Sequence, residues 1–594
     1  MDKIKFSDIR ITGGLWRDKQ DMVKNVTIDA VYNRFCETHR FEALKCTWKE
    51  GDPDCPHIFW DSDVAKWLES AAYIMATEER DEKLEKIFDD AVDLIVKNSD
   101  EHGYFNSHFL VTRQNERFCH RGEHELYCAG HLIEAAVAYY EATGKDKFLK
   151  AMCKYADYIE QVFKLEKSAE FFTPGHPELE LALVRLYHAT SDKRYLELSK
   201  YFIDEHGKPE NGEISNNNYN QDDMPLRDRI TADGHCVRAL YLFCGMADIA
   251  YEYNDSGLLE ACKRLFENIT NRRMYITGGV GSTYMGESFT VDYDLPNRKA
   301  YAETCAAISL AMFAGRMQAI EPNSKYADIV EKVIYNGFLS GVSMDGKSFF
   351  YENPLEIDPG FNNKERFPIT RRQEIFSCSC CPPNITRFIP SIAEYMYSYN
   401  DSVLYIHHYM NSETVGGSIG IVQETNYPAD GEILIKCNID KEYIALRIPG
   451  WCKSFKLSLP YEMKNGYAFV RLSGETEIRL TLDMPIEAIA ANKRVHENAG
   501  RIAIMRGPVV YCAEGVDNGA DLKNVRVDIH GNFELGSAEF LLPSIKTTGF
   551  RDADFDSLYK FADDAYEEFP LTLIPYYAFA NRGTSEMLVW LLKK

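Results

Sequence analysis

Residues 127–163 read YCAGHLIEAAVAYYEATGKDKFLKAMCKYADYIEQVF and place an apolar segment before an amphipathic one, with a short polar turn between them. In the first segment Leu132, Ala135 and Tyr139 follow the i, i+3, i+7 spacing of one helix face. A helix that is apolar all round is buried, whereas an amphipathic helix covers it from outside. The stretch therefore predicts one inner and one outer helix of a repeating helical domain.

The same pair of segments recurs along the first two-thirds of the chain, and each type occurs six times. The apolar helices are predicted to begin near Asp63, Cys128, Pro177, Gly234, Glu303 and Asn384. The amphipathic helices are predicted to begin near Asp21, Glu82, Asp146, Lys193, Gly257 and Ser324. This alternation predicts an (α/α)6 barrel, with an open α-solenoid as the structural alternative. The long Gly/Pro-rich connections 271–302 and 340–383 favour the barrel, because loops of that length are usually functional.

Near residue 400 the pattern changes to short alternating runs, such as 403–410, 433–438 and 444–448, separated by Asn, Gly and Asp. Such runs are typical of antiparallel strands in a β-sandwich. The predicted fold class is therefore α+β multidomain, an (α/α)6 barrel catalytic domain followed by C-terminal β-sandwich domains. The predicted limits are 1–400 for the barrel, 401–515 for a β-sandwich domain and 516–594 for a second small β-rich domain.

Composition excludes several classes of protein. A formal charge of −24 over 594 residues argues against a nucleic-acid partner, because phosphate binding needs a basic surface. The sequence contains no run of 18 apolar residues, so no membrane span is expected. Residues 1–10 lack the apolar core of an export signal, so export by such a signal is not expected. With 16 scattered cysteines, a reducing cytoplasmic location is expected. The sequence does not fix the oligomeric state, and a homodimer is one alternative.

Chemically distinctive side chains collect at the predicted starts of the inner helices. In an alternating barrel those helices run the same way, so their N-termini surround one opening, where partial positive charge favours carboxylates and thiolates. A lone histidine at a helix start is more often a cap or a core partner, but three matching positions favour substrate contact. The side chains are Asp61, Asp63, His131, His176, Glu178, His235, Glu303, Cys305, Cys380 and Cys381.

The cysteine cluster predicts a metal site. Glu303 and Cys305 are two residues apart, so they face the same side in an extended segment entering a helix. Cys380 and Cys381 precede a predicted helix N-terminus, a location that lowers thiol pKa. One oxygen and three sulfurs make a tetrahedral zinc set. From spacing alone, a structural zinc and a catalytic zinc fit equally well, and free thiols are the other alternative.

Five motifs carry a resemblance to a known family: GGVGSTYMGESF (278–289), YDLPN (293–297), YAETCA (301–306), SCSCCPPNITR (377–387) and IPYYAFANRGTSEMLVWL (574–591). With them, the chain resembles glycoside hydrolase family 127, the retaining β-L-arabinofuranosidases, over nearly its whole length. The resemblance implies that Glu287 is the general acid/base and Cys380 the nucleophile. It implies zinc ligation by Glu303, Cys305, Cys380 and Cys381, and sugar contacts from His131, His176, His235, Tyr351, Trp60 and Asp61.

The implied activity is release of β-linked L-arabinofuranose from small arabino-oligosaccharides or glycosides. One alternative is a related (α/α)6 enzyme that acts on another pectic or L-sugar glycoside. An epimerase or an unsaturated-uronide hydrolase is a further alternative, but neither needs the cysteine-rich CCPPN motif. The non-enzyme alternative is a carbohydrate-binding protein with a structural zinc ion.

Overall fold

The computed structural model describes all residues except 79–80, 210–217, 361–368, 417–418, 554–555, 560 and 562–564. Six buried helices alternate with outer amphipathic helices in the described part of residues 14–388, which confirms the predicted barrel. The inner helices are Trp60–Thr77, Glu125–Thr143, Leu179–Thr190, Cys236–Glu252, Thr304–Ile320 and Cys381–Phe388. The outer helices are Gly14–Met22 with Ile28–Glu37, Glu82–Asn98, Lys147–Ile159, Lys193–Glu205, Ser256–Asn268 and Ser324–Lys332.

The barrel is closed, which excludes the open solenoid. The first and sixth inner helices pack together, and the Ser70 hydroxyl lies 2.8 Å from the Thr386 hydroxyl. Four helices begin three or more residues before the predicted position: Gly14 for Asp21, Trp60 for Asp63, Glu125 for Cys128 and Cys381 for Asn384. The second inner helix begins at Glu125, so His131 lies in its second turn rather than its first. The sixth begins at Cys381, because two prolines fit its first turn and need no intrahelical partner.

The segment after the barrel forms a β-sandwich of two six-stranded sheets. In spatial order, the first sheet contains Asp2–Lys3, Tyr397–Tyr399, Val403–Ile406, Tyr443–Arg447, Tyr467–Arg471 and Glu462–Lys464. The second contains Phe455–Leu457, Thr476–Leu482, Glu432–Asn438, Gly420–Thr425, Ser412–Thr414 and Ile9–Ile11. One edge strand of each sheet therefore comes from the first eleven residues, which the sequence pattern did not predict.

A third sheet follows and contacts the barrel. Its strands are Ile486–Ala490, Arg501–Arg506, Leu591–Lys593, Arg526–Val527, Ile545–Asp552, Tyr566–Pro575, Val509–Glu514, Met587–Leu588 and Glu356–Ile357, with Glu534–Leu535 at one side. Pairing between Arg501–Arg506 and Val509–Glu514 closes six of these strands into a ring. The strands from Ile486 to Glu514 therefore belong to this sheet, whereas the prediction grouped them with the sandwich. The predicted domain limits themselves stay predictions.

The C-terminal segment 574–591 anchors the long loop that follows the last outer helix. The Tyr576 hydroxyl donates to the carbonyl of Pro354 at 2.9 Å, and Val589 N donates to the carbonyl of Leu355 at 3.0 Å. Further along the loop, Arg372 Nη1 donates to the carbonyl of Phe579 at 2.7 Å. Residues 361–368 of this loop lie outside the described part. The third sheet therefore fixes the loop that leads into Cys380.

Candidate active site

The site begins where the fifth inner helix starts. Glu303 is the residue before the helix and has extended backbone angles (φ −60°, ψ 138°), whereas Cys305 is in the first turn. Thr304 N donates to the carbonyl of Tyr351 at 2.9 Å, and the Asn353 amide donates to the Thr304 hydroxyl at 2.9 Å. The long loop therefore pairs with the helix entrance, and Glu303 and Cys305 face the same cluster, as the sequence predicts.

The sixth inner helix brings the other two cysteines to this point. Cys305 Sγ lies 3.5 Å from Cys380 Sγ and 3.3 Å from Cys381 Sγ, and the two adjacent sulfurs are 3.8 Å apart. Glu303 Oε1 is 3.7 Å from Cys380 Sγ and 3.8 Å from Cys381 Sγ. The sequence had placed these residues together, and the structure brings all four within one cluster.

The cluster fits a tetrahedral metal ion. Its four donor atoms lie within 4.8 Å of one another. Zinc–sulfur bonds of about 2.3 Å would set two sulfurs roughly 3.8 Å apart, close to the spacing in the cluster. The second oxygen of Glu303 is buried and has no hydrogen-bond partner among the described residues. An unpaired buried carboxylate oxygen beside three thiols is costly, and a bound cation would offset that cost.

Proton affinities in the cluster are unequal. Burial alone would raise the pKa of Cys305, but hydrogen bonds from Cys380 and Cys381 lower it to about 6. Burial and hydrogen bonds with the other two thiols raise the pKa of Cys381 well above its ordinary value. Burial and the charge of Glu287 likewise raise the pKa of Glu303 well above its ordinary value. The protein alone therefore favours a thiolate at Cys305 and the protonated forms of Cys381 and Glu303.

Glu287 reaches the cluster from the Gly-rich loop. Gly286 (φ +68°) and Glu287 (φ +52°) both adopt left-handed backbone conformations, which turn the loop sharply. The Glu287 carboxylate lies 3.2 Å from His235 Nε2, and both groups lie within 4.8 Å of a Glu303 oxygen. Its side chain is 33% exposed, so a ligand in the barrel opening can reach it.

The start of the fourth inner helix orients His235. Its Nδ1 accepts hydrogen bonds from Val237 N at 3.2 Å and Arg238 N at 3.5 Å. Because Nδ1 accepts, the ring proton of the neutral form is on Nε2, which donates to Glu287. Burial would raise the pKa of Glu287, but hydrogen bonding and charge from His235 hold it below its ordinary value.

The other two predicted histidines lie along the same wall. The ring of His176 is 4.1 Å from that of Tyr127 and 5.7 Å from that of His235. His131 Nδ1 lies 3.0 Å from a Glu178 oxygen, and both side chains are fully buried. Burial, with nearby cationic side chains, lowers the pKa of His131 and His176 well below the ordinary value. Both rings are therefore neutral at neutral pH.

The remaining predicted residues divide into two groups. The Tyr351 hydroxyl lies 3.2 Å from Cys380 Sγ and 3.7 Å from Cys378 Sγ, so Tyr351 belongs to the cluster. Asp61 is buried and accepts a hydrogen bond from Ser107 N at 2.7 Å, and burial raises its pKa to about 6. Trp60 begins the first inner helix and contacts the Arg40 guanidinium. Among the described contacts, none joins Trp60 or Asp61 to the cluster.

The sequence analysis did not identify Lys66 and Tyr127, two residues that support the histidine wall. Lys66 is fully buried in the first inner helix and donates to the Tyr127 hydroxyl at 3.0 Å. The Tyr127 ring in turn contacts that of His176 at a tilt of 47°, so the lysine fixes part of the histidine wall. A signal was present, because Lys66 stands between the apolar pairs Val64–Ala65 and Trp67–Leu68 of a predicted inner helix, and lysine is almost never fully buried unless it is paired.

Paired carboxyl groups at the open end of a helical barrel suit glycoside hydrolysis, in which one carboxyl group serves as acid and then as base. The comparisons agree. Residues 8–394 match the family described as the GH127 catalytic domain of β-L-arabinofuranosidases, residues 403–486 its middle domain, and residues 486–592 its C-terminal domain. The chain belongs to glycoside hydrolase family 127.

Individual relatives span the whole molecule. A non-reducing end β-L-arabinofuranosidase of Bifidobacterium longum subsp. longum is 38% identical, across 99% of this chain and 97% of the relative. The crystal structure of a GH127 β-L-arabinofuranosidase from Geobacillus stearothermophilus T6 is 40% identical, with a TM-score of 0.93 over 99% of this chain and 100% of that one. A second solved GH127 β-arabinofuranosidase is 32% identical, with a TM-score of 0.90 over 100% and 98%. In the described residues, no helix has the length and apolar character needed to cross a bilayer.

Proposed function

We propose that this chain hydrolyses β-linked L-arabinofuranosides with retention at the anomeric carbon, using Cys380 as nucleophile and Glu287 as acid/base. The observation that carries the proposal is the meeting of three thiols with two carboxyl groups at the barrel opening. The similarity to β-L-arabinofuranosidases along the whole chain supports the choice of sugar. A conventional retaining pair would need two carboxylates about 5–5.5 Å apart. Here Glu303 faces the sulfurs, so a thiolate takes the nucleophile's place.

Exposure favours Cys380 over the other two cysteines. Cys305 is 2% exposed and Cys381 is fully buried, whereas Cys380 is only half-buried. A nucleophile must reach the anomeric carbon to within about 3–3.5 Å, which a fully buried sulfur cannot do. The Tyr351 hydroxyl, 3.2 Å from Cys380 Sγ, orients that sulfur.

In the first step, the Cys380 thiolate attacks C1 of the arabinofuranose and the bond from C1 to the leaving oxygen breaks. Glu287 transfers its proton to that oxygen, which leaves as the alcohol of the aglycone. The acid role requires protonated Glu287. In the ligand-free protein His235 holds the pKa of Glu287 below its ordinary value, so further burial by the bound glycoside would have to supply the rise that an acid needs.

In the second step, a water molecule attacks C1 of the S-glycosyl enzyme and the bond from C1 to sulfur breaks. Glu287, now a carboxylate, accepts the proton of that water, and the Cys380 thiolate is restored. His235 keeps the carboxylate aimed at the reacting oxygen through its Nε2–H. Two inversions at C1 give net retention.

We also propose that the metal ion is zinc, held by Glu303, Cys305, Cys380 and Cys381. When bound, zinc keeps coordinating thiols deprotonated at neutral pH, at some cost to their nucleophilicity. Three sulfurs with one carboxylate suit zinc better than magnesium or calcium, which prefer all-oxygen sites. Elemental analysis of protein purified without added metal should then give one zinc per chain.

The activity is tested with para-nitrophenyl L-arabinofuranosides of both anomers, with and without a chelator. The expected result is hydrolysis of the β-anomer, loss of rate after chelation, and β-L-arabinofuranose as the first product seen by NMR. Release of the α-anomer first would exclude the retaining mechanism. Preference for another L-sugar or pectic glycoside would favour the alternative substrate and leave the mechanism standing.

The nucleophile is tested by covalent labelling. An arabinofuranose-like epoxide or haloacetamide should alkylate Cys380, and peptide mass spectrometry should find the adduct there, prevented by substrate. Cys378→Ser is the matched control, because Cys378 lies near Tyr351 but outside the four-residue cluster. It should be labelled like the wild type. An adduct on Glu303 would restore a two-carboxylate mechanism.

We place this activity in the cytoplasm, on small imported oligosaccharides. All 16 cysteines are free thiols in the structure, and proteins of oxidising compartments usually pair theirs. Fractionation of the source cells, with thiol counting of the native protein, checks this. Recovery of the native protein outside the cell with formed disulfides would contradict it.

A further inference from the structure

A cavity of about 380 Å³ lies at the C-terminal ends of the inner helices, opposite the catalytic opening. Its wall includes Tyr73, Glu134, Arg185 and Arg316, which come from four different inner helices, and the segment 3–7 borders it. None of the four cluster residues lines it. The volume is within the range of small-molecule sites.

The wall of this cavity carries both signs of charge in balance. Its carboxylates are Glu69, Glu134, Glu141, Asp248 and Glu394, and its cationic side chains are Lys3, Lys5, Arg185, Arg316 and Arg387. Most are paired with each other, as Lys3 is with Glu394 at 2.9 Å and Arg316 with Asp248 at 2.9 Å. His188, also at the wall, lies 3.1 Å from Glu252. A charged ligand would disturb this balance, so a neutral polar ligand fits better.

Several polar atoms at the wall lack complete hydrogen bonding within the described part of the chain. Glu134 is 5% exposed, yet its carboxylate has only long ion pairs, 3.4 Å to Arg185 and 3.6 Å to Arg387. The Tyr395 hydroxyl and Arg316 Nη2 also make no hydrogen bond to described residues. These atoms are accessible from the cavity rather than enclosed in the core, so they can hydrogen-bond to a ligand that offers hydroxyl groups.

Aromatic rings complete the lining. Phe6 packs edge-on against Tyr73 with ring centroids 5.0 Å apart, and Tyr395 lies further along the wall. Sugars present C–H faces to aromatic rings and hydroxyl pairs to carboxylates and guanidinium groups, whose donors form a planar fork. We propose that this cavity binds a neutral, monosaccharide-sized sugar, with Glu134, Arg316 and Tyr395 as its hydroxyl partners.

A layer of side chains separates this sugar site from the catalytic opening. Glu69 accepts a hydrogen bond from Arg387 Nη1 at 2.6 Å, and Arg387 Nη2 donates to the Tyr241 hydroxyl at 2.9 Å. The Tyr241 ring lies 6.2 Å from that of His131, on the catalytic side. The two sites are therefore separate chambers, and their occupancies can be measured independently of hydrolysis.

The test is a calorimetric titration of the full chain with L-arabinose. The wild type is expected to show a site with a dissociation constant of roughly millimolar order that Ala76→Phe removes, because Ala76 lines the cavity and a phenyl ring would fill it. Ala142→Phe is the matched control, since Ala142 is partly exposed and does not line the cavity. Both variants should hydrolyse para-nitrophenyl arabinofuranoside at the wild-type rate.

Glu134→Gln gives a second measurement that keeps the side-chain volume. It should weaken binding at this site about tenfold, since an amide replaces one charged acceptor. An isotherm that neither Ala76→Phe nor Glu134→Gln changes would overturn the proposal, as would equal loss in Ala142→Phe. Because the readout is binding rather than turnover, failure of the proposed hydrolysis would leave this result interpretable.

Discussion

The two ends of the barrel differ in how completely their buried polar side chains are hydrogen-bonded. At the N-terminal ends of the inner helices, buried polar atoms lack hydrogen-bond partners among the described residues, including one oxygen each of Glu303, Asp61 and Asp63. At the C-terminal ends, the Glu69 carboxylate accepts from Tyr73 at 2.5 Å, from Arg185 at 3.0 Å and from Arg387. Each unpaired buried group costs about 1–3 kcal/mol, so the first end is less stable than its packing permits.

The difference teaches where function lies. The helices are the same, so hydrophobic packing cannot distinguish their ends, but hydrogen-bond completeness does. Polar groups that are complete within the chain stabilise the barrel, as the Glu69 network does. Groups left incomplete around the thiol cluster are poised to bind something outside the chain. Glu134, Tyr395 and Arg316, whose hydrogen bonding is incomplete within the largely paired end, are the local exceptions on which the proposed second sugar site rests.

The largest effect is expected at the catalytic end. Cys380→Ser should lower kcat by ~10⁴-fold or more, because loss of a nucleophile removes a whole chemical step. The measurement is single-turnover hydrolysis of a β-L-arabinofuranoside, with Cys378→Ser as the control expected to stay near the wild-type rate. Turnover by Cys380→Ser at a wild-type rate would show that the end with incomplete hydrogen bonding does not supply the nucleophile.

Glu287→Gln should come next. The amide cannot deliver a proton to the leaving oxygen, so hydrolysis of an alkyl arabinofuranoside should fall by roughly 10²–10⁴-fold. A nitrophenyl leaving group needs little protonation, so the rate of hydrolysis of the nitrophenyl substrate should fall much less. Parallel kinetics on the two substrates separate these outcomes, and an equal loss on both would contradict the acid assignment.

Arg387→Met tests the paired end. It leaves the buried Glu69 without its shortest charged partner, so the free energy of unfolding should fall by about 3–5 kcal/mol. Turnover per folded molecule should change far less than in the two variants above. Urea unfolding and active-site titration give the two quantities. A variant of normal stability with strongly reduced kcat would break the contrast between the ends.

The smallest effect is expected from pH. Burial lowers the pKa of His131 and His176 below the unfolded value near 6.5. Below that pH the two histidines bind protons in the unfolded chain but stay neutral in the folded chain. The free energy of unfolding therefore falls as pH falls, by at most about 1.4 kcal/mol per pH unit for each histidine. His131→Gln should flatten the slope of unfolding free energy against pH below 6.5. An unchanged slope would mean that His131 does not titrate differently on folding.

Local periodicity was enough to predict the barrel, because each of the six inner helices shows its own apolar sequence pattern. It was enough to place Glu303, Cys305, Cys380 and Cys381 together, since parallel inner helices bring their starts to one opening. It could not predict Lys66 supporting Tyr127, because the partners are 61 residues apart and neither belongs to a motif. It also missed the strands near the start of the chain, whose two- and three-residue lengths carry no periodic signal.

Those early strands have a consequence for synthesis. Asp2–Lys3 and Ile9–Ile11 find their partners at Tyr397–Tyr399 and Ser412–Thr414, roughly 400 residues later. A ribosome adds about 5–20 residues per second, so the first strands wait for about 20–80 s before the edge they complete exists. During that interval the nascent barrel must tolerate an unpaired leading segment. Release of the chain before the second sheet emerges would therefore yield a barrel with a dangling, strand-forming end.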